Sequence, residues 1–118
     1  MILNKTTNTL VNYKVMEQIY SAAIWYKDLP SVKYMPTNIY KGVVVEGHRH
    51  ADIIRTVLNL LGKRTVQFGE NSVGETIQGF ITSENRFVDR IEGMRIAREA
   101  NQIISDTTFK ELYSEDLY

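Results

Sequence analysis

A short valine run, a glycine and an apolar stripe of helical period follow one another closely in this chain, which orders a strand, a turn and a helix. In KGVVVE, Lys41 to Glu46, three β-branched residues stand behind a glycine, the length and composition of a short buried strand. Gly47 ends it. Ile54, Val57, Leu58 and Leu61 then recur at i, i+3, i+4 and i+7, which predicts an amphipathic helix from about His50 to Leu61. Gly62 stands just past the last apolar residue, where the left-handed C′ conformation favours glycine. A strand followed so soon by a helix needs a sheet for one to join and a core for the other to cover.

The remaining elements fit around that pair. Val15 to Tyr26, VMEQIYSAAIWY, reads as helix by its alanines or strand by its β-branched and aromatic ending, and the strand reading over Tyr20 to Tyr26 is favoured. Pro30 and Pro36 make LPSVKYMPTN an extended surface loop. Thr65 to Phe68 and Glu75 to Phe80 read as strands, and Phe87 and Val88 continue past the turn TSEN as a hairpin partner. Asp89 has the chemistry of an N-cap, and Glu92 three residues on completes a capping box for a second helix reaching about Gln102. Ile91, Met94, Arg95 and Arg98 form the edge of that helix, and Ile96 and Ala100 its core side. In the tail ELYSEDLY, Leu112, Tyr113, Leu117 and Tyr118 are suited to docking on a neighbour. The expected class is therefore α+β: a small antiparallel sheet with two amphipathic helices, the C-terminal helix and tail packing in an oligomer. A polar lead-in arm over residues 1–19 precedes one ligand-binding domain over residues 20–118.

Length and charge narrow the function. At 118 residues the chain supports one core with little surplus for a deep private pocket, which points to a site between subunits. Lys plus Arg equals Asp plus Glu at 14 each, so no broad field exists to hold long nucleic acid or an anionic membrane. The absence of cysteine removes disulfides, thiolate-held metals and thiol nucleophiles, and fits a reducing compartment. Met1 to Leu10 lacks the apolar run of a signal peptide or membrane span, so a soluble, cytoplasmic protein is expected.

Two constellations carry candidate chemistry. GHRHAD, Gly47 to Asp52, holds both histidines, and His48, His50 and Asp52 are candidate metal ligands. On an extended stretch His48 and His50 share one face, but a third ligand would have to be a distant carboxylate that spacing does not place, and a metal is not expected. The same stretch read as a strand-to-helix turn presents free backbone donors and Arg49, whose planar guanidinium suits a phosphate. The second, GFITSENRFVDR, brings Phe80 and Phe87 beside Thr82, Ser83, Asn85, Arg86 and Arg90. A nucleotide needs that set: flat faces for the base, polar groups for its edge and donors for phosphate. The plainer alternative places Phe80 and Phe87 in a hairpin core, and Trp25 is open to the same two readings. Walker loops, GxSxG, GxGxxG after a strand and HExxH are all missing, which leaves only His48 or His50 as an acid–base group for any phosphodiesterase reading.

The segments SAAIWYKD, PTNIYKGVVVEGHRHADII, QGFITSENRFVDRIEGMRIAREANQ and LYSEDLY, spanning about Ser21 to Tyr118, resemble the phage Thoeris anti-defence sponges of the first type. That resemblance implies sequestration, without degradation, of cyclic ADP-ribose isomers made by bacterial TIR-domain immune enzymes in the infected host's cytoplasm. It also implies an antiparallel core with C-terminal helices, obligate homodimers able to pair into hexamers, pockets shared between subunits, and no cofactor. Some such sponges also hold cyclic oligonucleotides at separate sites. Carried onto this chain, the implied contacts are Trp25, Arg49, His50, Phe80, Thr82, Asn85, Arg86, Phe87 and Arg90, with Glu115 and Asp116 meeting ribose hydroxyls or a partner's arginine. The chain departs from the pattern before Tyr20 and over Lys63 to Glu75. The competing expectations are an enzyme cleaving such a signal and an inhibitor that binds a host defence protein directly.

Overall fold

The structure, a computed structural model, describes residues 16–63 and 72–118. The lead-in as far as Val15 and the strand expected over Thr65 to Phe68 lie outside the described residues. β1 spans Ile19–Tyr26, β2 Val43–Gly47, α1 His50–Leu61, β3 Thr76–Thr82, β4 Phe87–Asp89 and α2 Arg90–Glu99, with a 3-10 turn at Ser114–Asp116. The four strands form one antiparallel sheet in the order β2-β1-β3-β4, and the chain is α+β as its patterning predicts.

Residues 19–26 are strand because both of their faces are covered. Ala22, Ile24 and Tyr26 enter the core beneath the helices, while Ala23 and Trp25 enter a second cluster on the opposite face. That alternation has period two, which a helix cannot supply. Ile19 is 4% exposed, Gln18 and Ser83 exchange hydrogen bonds, and Glu17 pairs with Arg86. The domain therefore takes in residues that the sequence assigned to the lead-in.

Ile53 and Val57 of α1 and Met94, Ile96 and Ala97 of α2 pack with Ile24, Tyr26 and Phe80 on one face of the sheet. The buried side of α1 runs through His50, Ile53 and Val57; Ile54 and Leu58 flank it, and Leu61 is 43% exposed. The helix is thus rotated from the stripe that the sequence suggests. Gly47 explains part of this, since a Cβ there would lie 2.7 Å from Ile53 Cγ1, so its absence lets Ile53 close over the sheet. Gly62 adopts φ 66 as expected, with its N–H donating to Asn59 O.

Asp89 caps α2, its Oδ1 accepting from the backbone N–H groups of Ile91 and Glu92. The reciprocal half of the expected box is replaced: the Glu92 carboxylate binds Arg95 and lies 3.7 Å from Arg86. α2 ends at Glu99, short of Gln102, and Asn101 takes φ 58 just beyond it. Gln102 instead pairs its side-chain amide with both backbone groups of Ile19.

On the opposite face the loop between β1 and β2 lays Met35 and Ile39 over Trp25, Val44, Ile81 and Phe87. Asn38 behaves as a short extra strand there, its amide donating to Phe87 O at 2.7 Å and accepting from Phe87 N at 2.9 Å. The exposed edge of β4 is covered in this way.

The C-terminal tail docks on its own domain. Leu112 is fully buried in the helical-face core, and its N–H donates to Arg90 O at 2.9 Å. Asp116, 8% exposed, accepts from Ser105 Oγ and from Tyr113 N, which folds the last residues into a compact turn. The sequence expectation of docking on a neighbour is corrected to this extent, because a partner for Leu112 exists within the same chain.

Candidate functional site

Arg49 is the N-cap residue of α1, extended at φ −132 and ψ 148, and the helix start has no side-chain cap. Its guanidinium reaches the tail, donating from Nη1 to Ser114 Oγ at 3.0 Å and from Nη2 to the main-chain oxygen of Tyr118 at 2.7 Å. It also lies 5.0 Å from the Tyr118 ring centroid, within cation–π range. The ring of His48 stacks on Tyr118 at 4.5 Å, and the Tyr118 hydroxyl donates to His48 O.

Arg90 begins α2 and approaches the tail from another direction. Nη1 donates to Leu112 O at 2.7 Å, Nη2 donates to Gln78 Oε1, and the guanidinium sits 4.3 Å over the Tyr113 ring. Burial pushes its pKa below the ordinary arginine value, opposed by Tyr113, Glu115 and Glu111. Arg55, Arg86 and Arg95 pair with Asp or Glu side chains, whereas Arg49 and Arg90 pair with no Asp or Glu side chain among the described residues. Arg90 is satisfied by the neutral oxygens of Leu112 and Gln78, and Arg49 by Ser114 Oγ and a main-chain oxygen of Tyr118.

His50 links the two arginines. Its ring is 8% exposed, Nε2 lies 2.8 Å from Gly79 O, and the ring meets Phe80 edge to face at 5.2 Å. A carbonyl can only accept, so Nε2 carries the proton. Burial lowers the His50 pKa, and the positive charge of Arg90 lowers it further; the Gly79 bond and Glu115 oppose them. The neutral, Nε2-protonated imidazole pins α1 to β3. His48 is exposed, and no group of three metal-ligating side chains occurs among the described residues.

Of the residues singled out in the sequence, the fold brings together Arg49, His50, Phe80, Arg90 and Glu115. Phe80 supports this cluster from beneath, being 0% exposed, and offers no free face to a base. Here the plainer core alternative fits: at Gly93 an added Cβ would lie 3.1 Å from Phe80 and 3.4 Å from Leu112, so helix, strand and tail are in tight contact. Asp116 is bound into the tail turn, as described, while Glu115 is exposed.

The other residues lie elsewhere. Thr82 Oγ1 donates to Glu17 at 2.6 Å, and Arg86 forms a two-point pair with the same carboxylate at 2.9 and 3.0 Å. The Glu17 pKa is lowered, chiefly by the hydrogen bond from Arg86. Asn85 adopts φ 58 in the β3–β4 turn, a conformation asparagine tolerates, and its carbonyl accepts from Thr37 N. Trp25 and Phe87 meet at 6.0 Å in the second cluster, on the sheet face opposite the arginines. Trp25 Nε1–H donates to Lys41 O, the satisfied geometry of a core tryptophan.

Four contributors were not assigned to a site from sequence: Gln78, Tyr113, Ser114 and Tyr118. The tyrosines were visible as an aromatic pair five residues apart, read for docking, and are 43% and 38% exposed. The arrangement offers two cations without an Asp or Glu partner among the described residues, two partly exposed phenol rings and a helix start lacking a side-chain cap. Such a set can hold an anion attached to a flat ring.

The model of one protein family, described as Phage T4 y16D protein, matches residues 18–118. No curated protein and no solved structure matches the chain.

Proposed function

We propose that this chain, which belongs to the phage T4 y16D protein family, is a phage accessory protein that captures a small cyclic nucleotide at Arg49 and Arg90 and holds it intact. The observation that carries the reading is the pair of guanidiniums that no Asp or Glu side chain among the described residues neutralises, each beside an exposed tyrosine ring of the tail. A phosphate carries a formal charge that the oxygens of Leu112, Gln78 and Ser114 lack, and a planar guanidinium can hold it through two parallel N–H···O bonds. Stacking of a base on Tyr113 adds about 1–3 kcal/mol. The backbone donors at the start of α1 favour the same negative charge.

The resemblance to anti-defence sponges names the ligand as a cyclic ADP-ribose isomer, and the role as depletion of a host immune signal in the infected cell's cytoplasm. Binding by mass action suffices for that role, and catalysis is not required. His50, whose proton faces Gly79 O within a closed ring environment, is a structural pin in this reading and not an acid–base catalyst. A second copy of the chain, paired as a homodimer, would complete the enclosure of the ligand that Phe80 and Trp25 cannot supply from within one core.

The test is to incubate the pure protein with cyclic ADP-ribose isomers, remove free ligand, denature the protein and identify the released material by chromatography. Unchanged ligand is expected, and it should be lost in Arg49→Ala and Arg90→Gln variants that keep the wild-type circular dichroism spectrum. A converted product would make the protein an enzyme. Absence of retained ligand, or full retention by both folded variants, would refute the site.

A further inference from the structure

The edge of α2 that the sequence singles out, Ile91, Met94, Arg95 and Arg98, does not lie against the core along its whole width. It forms one wall of a groove of about 500 Å³, the other wall being Thr107, Thr108, Phe109 and Lys110. Arg98 sets the groove's width by donating from Nη2 to Thr107 O at 3.0 Å and to Phe109 O at 3.4 Å. Met94 is buried at 3% exposure, whereas Ile91 and Phe109 stand 59% and 65% exposed. The lining contains three cations and no carboxylate. Arg95 is neutralised by Glu92 and Glu99, but Arg98 and Lys110 have no carboxylate partner among the described residues.

We propose that this groove docks an acidic segment of another protein, which places one large apolar side chain between Ile91 and Phe109 and a carboxylate against Lys110 and Arg98. Charge complementarity selects the acidic partner: an apolar slot with uncompensated positive charge repels basic segments and rewards carboxylates. The exposure of its walls selects a peptide over a small molecule. Small ligands bind where about 70–90% of their surface is enclosed, and walls that remain largely in water cannot enclose one. A peptide instead lies along an open groove and anchors through one or two side chains. The overall charge balance, with no broad positive field, disfavours a nucleic acid strand. This surface is separate from the Arg49 and Arg90 site, and its occupation does not depend on that site's ligand.

The experiment is selection of an mRNA-displayed random peptide library on the immobilised full chain, followed by fluorescence polarisation of the enriched peptides. The expected result is enrichment of sequences that combine Asp or Glu with a Leu, Ile, Phe or Trp anchor. Their binding should weaken about tenfold in Lys110→Glu and in Phe109→Ala. Both side chains are exposed, and retained far-ultraviolet circular dichroism separates lost binding from lost fold. No enrichment, enrichment of basic or uncharged sequences, or unchanged binding in both variants would overturn the proposal. So would a single-stranded oligothymidylate that binds more tightly than the peptides and is lost in the same variants. A wild-type dimer that becomes monomeric in Phe109→Ala would also overturn it, by giving the groove to a second copy.

Discussion

Leu112→Ala tests whether the tail belongs to the chain's own core. Leu112 is 0% exposed, and the space beside it is already tight enough that a Cβ on Gly93 would stand 3.4 Å from Leu112 Cδ2. Truncation to alanine removes about three methyl or methylene groups at about 0.8 kcal/mol each, roughly 2.4 kcal/mol of transfer free energy. A cavity term adds to this only if the surroundings cannot relax. Here the backbone is tied on both sides, Leu112 N–H to Arg90 O and Arg90 Nη1 to Leu112 O, so the strand of tail cannot slide inward to fill the hole. The expected cost is therefore about 3–4 kcal/mol, within the range seen for buried leucines. For a domain of this size that corresponds to a fall in Tm of about 10–15 °C. Thermal and urea unfolding, followed by circular dichroism at low and high protein concentration, measure it directly. Leu112→Met, which conserves volume, should cost less than about 1.5 kcal/mol. A loss below about 1 kcal/mol for Leu112→Ala would mean that Leu112 is not a core residue. A deficit that disappears at high concentration would instead mean that the tail packs on a neighbouring copy.

Glu17→Gln should cost about 1–3 kcal/mol at neutral pH, because Arg86 and Thr82 lose a charged acceptor. The folded pKa of Glu17 lies below the ordinary 4.5, so its contribution is fully present above that value and lost as pH falls through the folded pKa. Melting curves at descending pH should accordingly show the gap between wild type and Glu17→Gln closing below about pH 4.5; a gap that stays constant would refute the pairing. Phe80→Ala should lower stability by about 3–5 kcal/mol, as for a buried aromatic in a core, and urea titration would show it. A stable variant that has lost only ligand capture would return Phe80 to the ligand. The Tyr26 hydroxyl is buried with no hydrogen-bond partner among the described residues, and burial pushes its pKa up to about 12. Tyr26→Phe should be neutral or stabilising by up to about 1 kcal/mol in the same titration, and a clear destabilisation would show that the hydroxyl is satisfied.

The amino-acid sequence by itself determined the local elements wherever neighbours along the chain supply the cause. The bounds of α1 at His50 and Leu61, its glycine terminus and the Asp89 cap follow from contacts within a few residues, which a linear reading can see. The strand over Tyr20 to Tyr26 and the α+β class were legible in the same way, from β-branched and aromatic content, whereas the burial of both faces of β1 was not. Arg49 and Arg90 were singled out by residue type as candidates for holding a phosphate, since a planar guanidinium suits that anion.

Only the tertiary structure decided which face of each side chain would be used. Phe80 and Phe87 have identical chemistry and lie seven residues apart, yet one supports the arginine cluster and the other joins Trp25 on the far side of the sheet. Arg86 and Arg90 are separated by one helical turn's length of chain, yet Arg86 finds Glu17, a residue from the other end of the sequence, and is neutralised. The tail gave no sign that it would bring Tyr113 and Tyr118 to the arginines, because the partner that fixes it, Leu112 in the core beside Phe80 and Gly93, is chosen by shape and not by pattern. Periodicity reports that a residue is apolar on one side. Whether the surface it meets belongs to a core, a ligand or a second chain depends on contacts far apart in sequence, and those exist only once the sheet has closed.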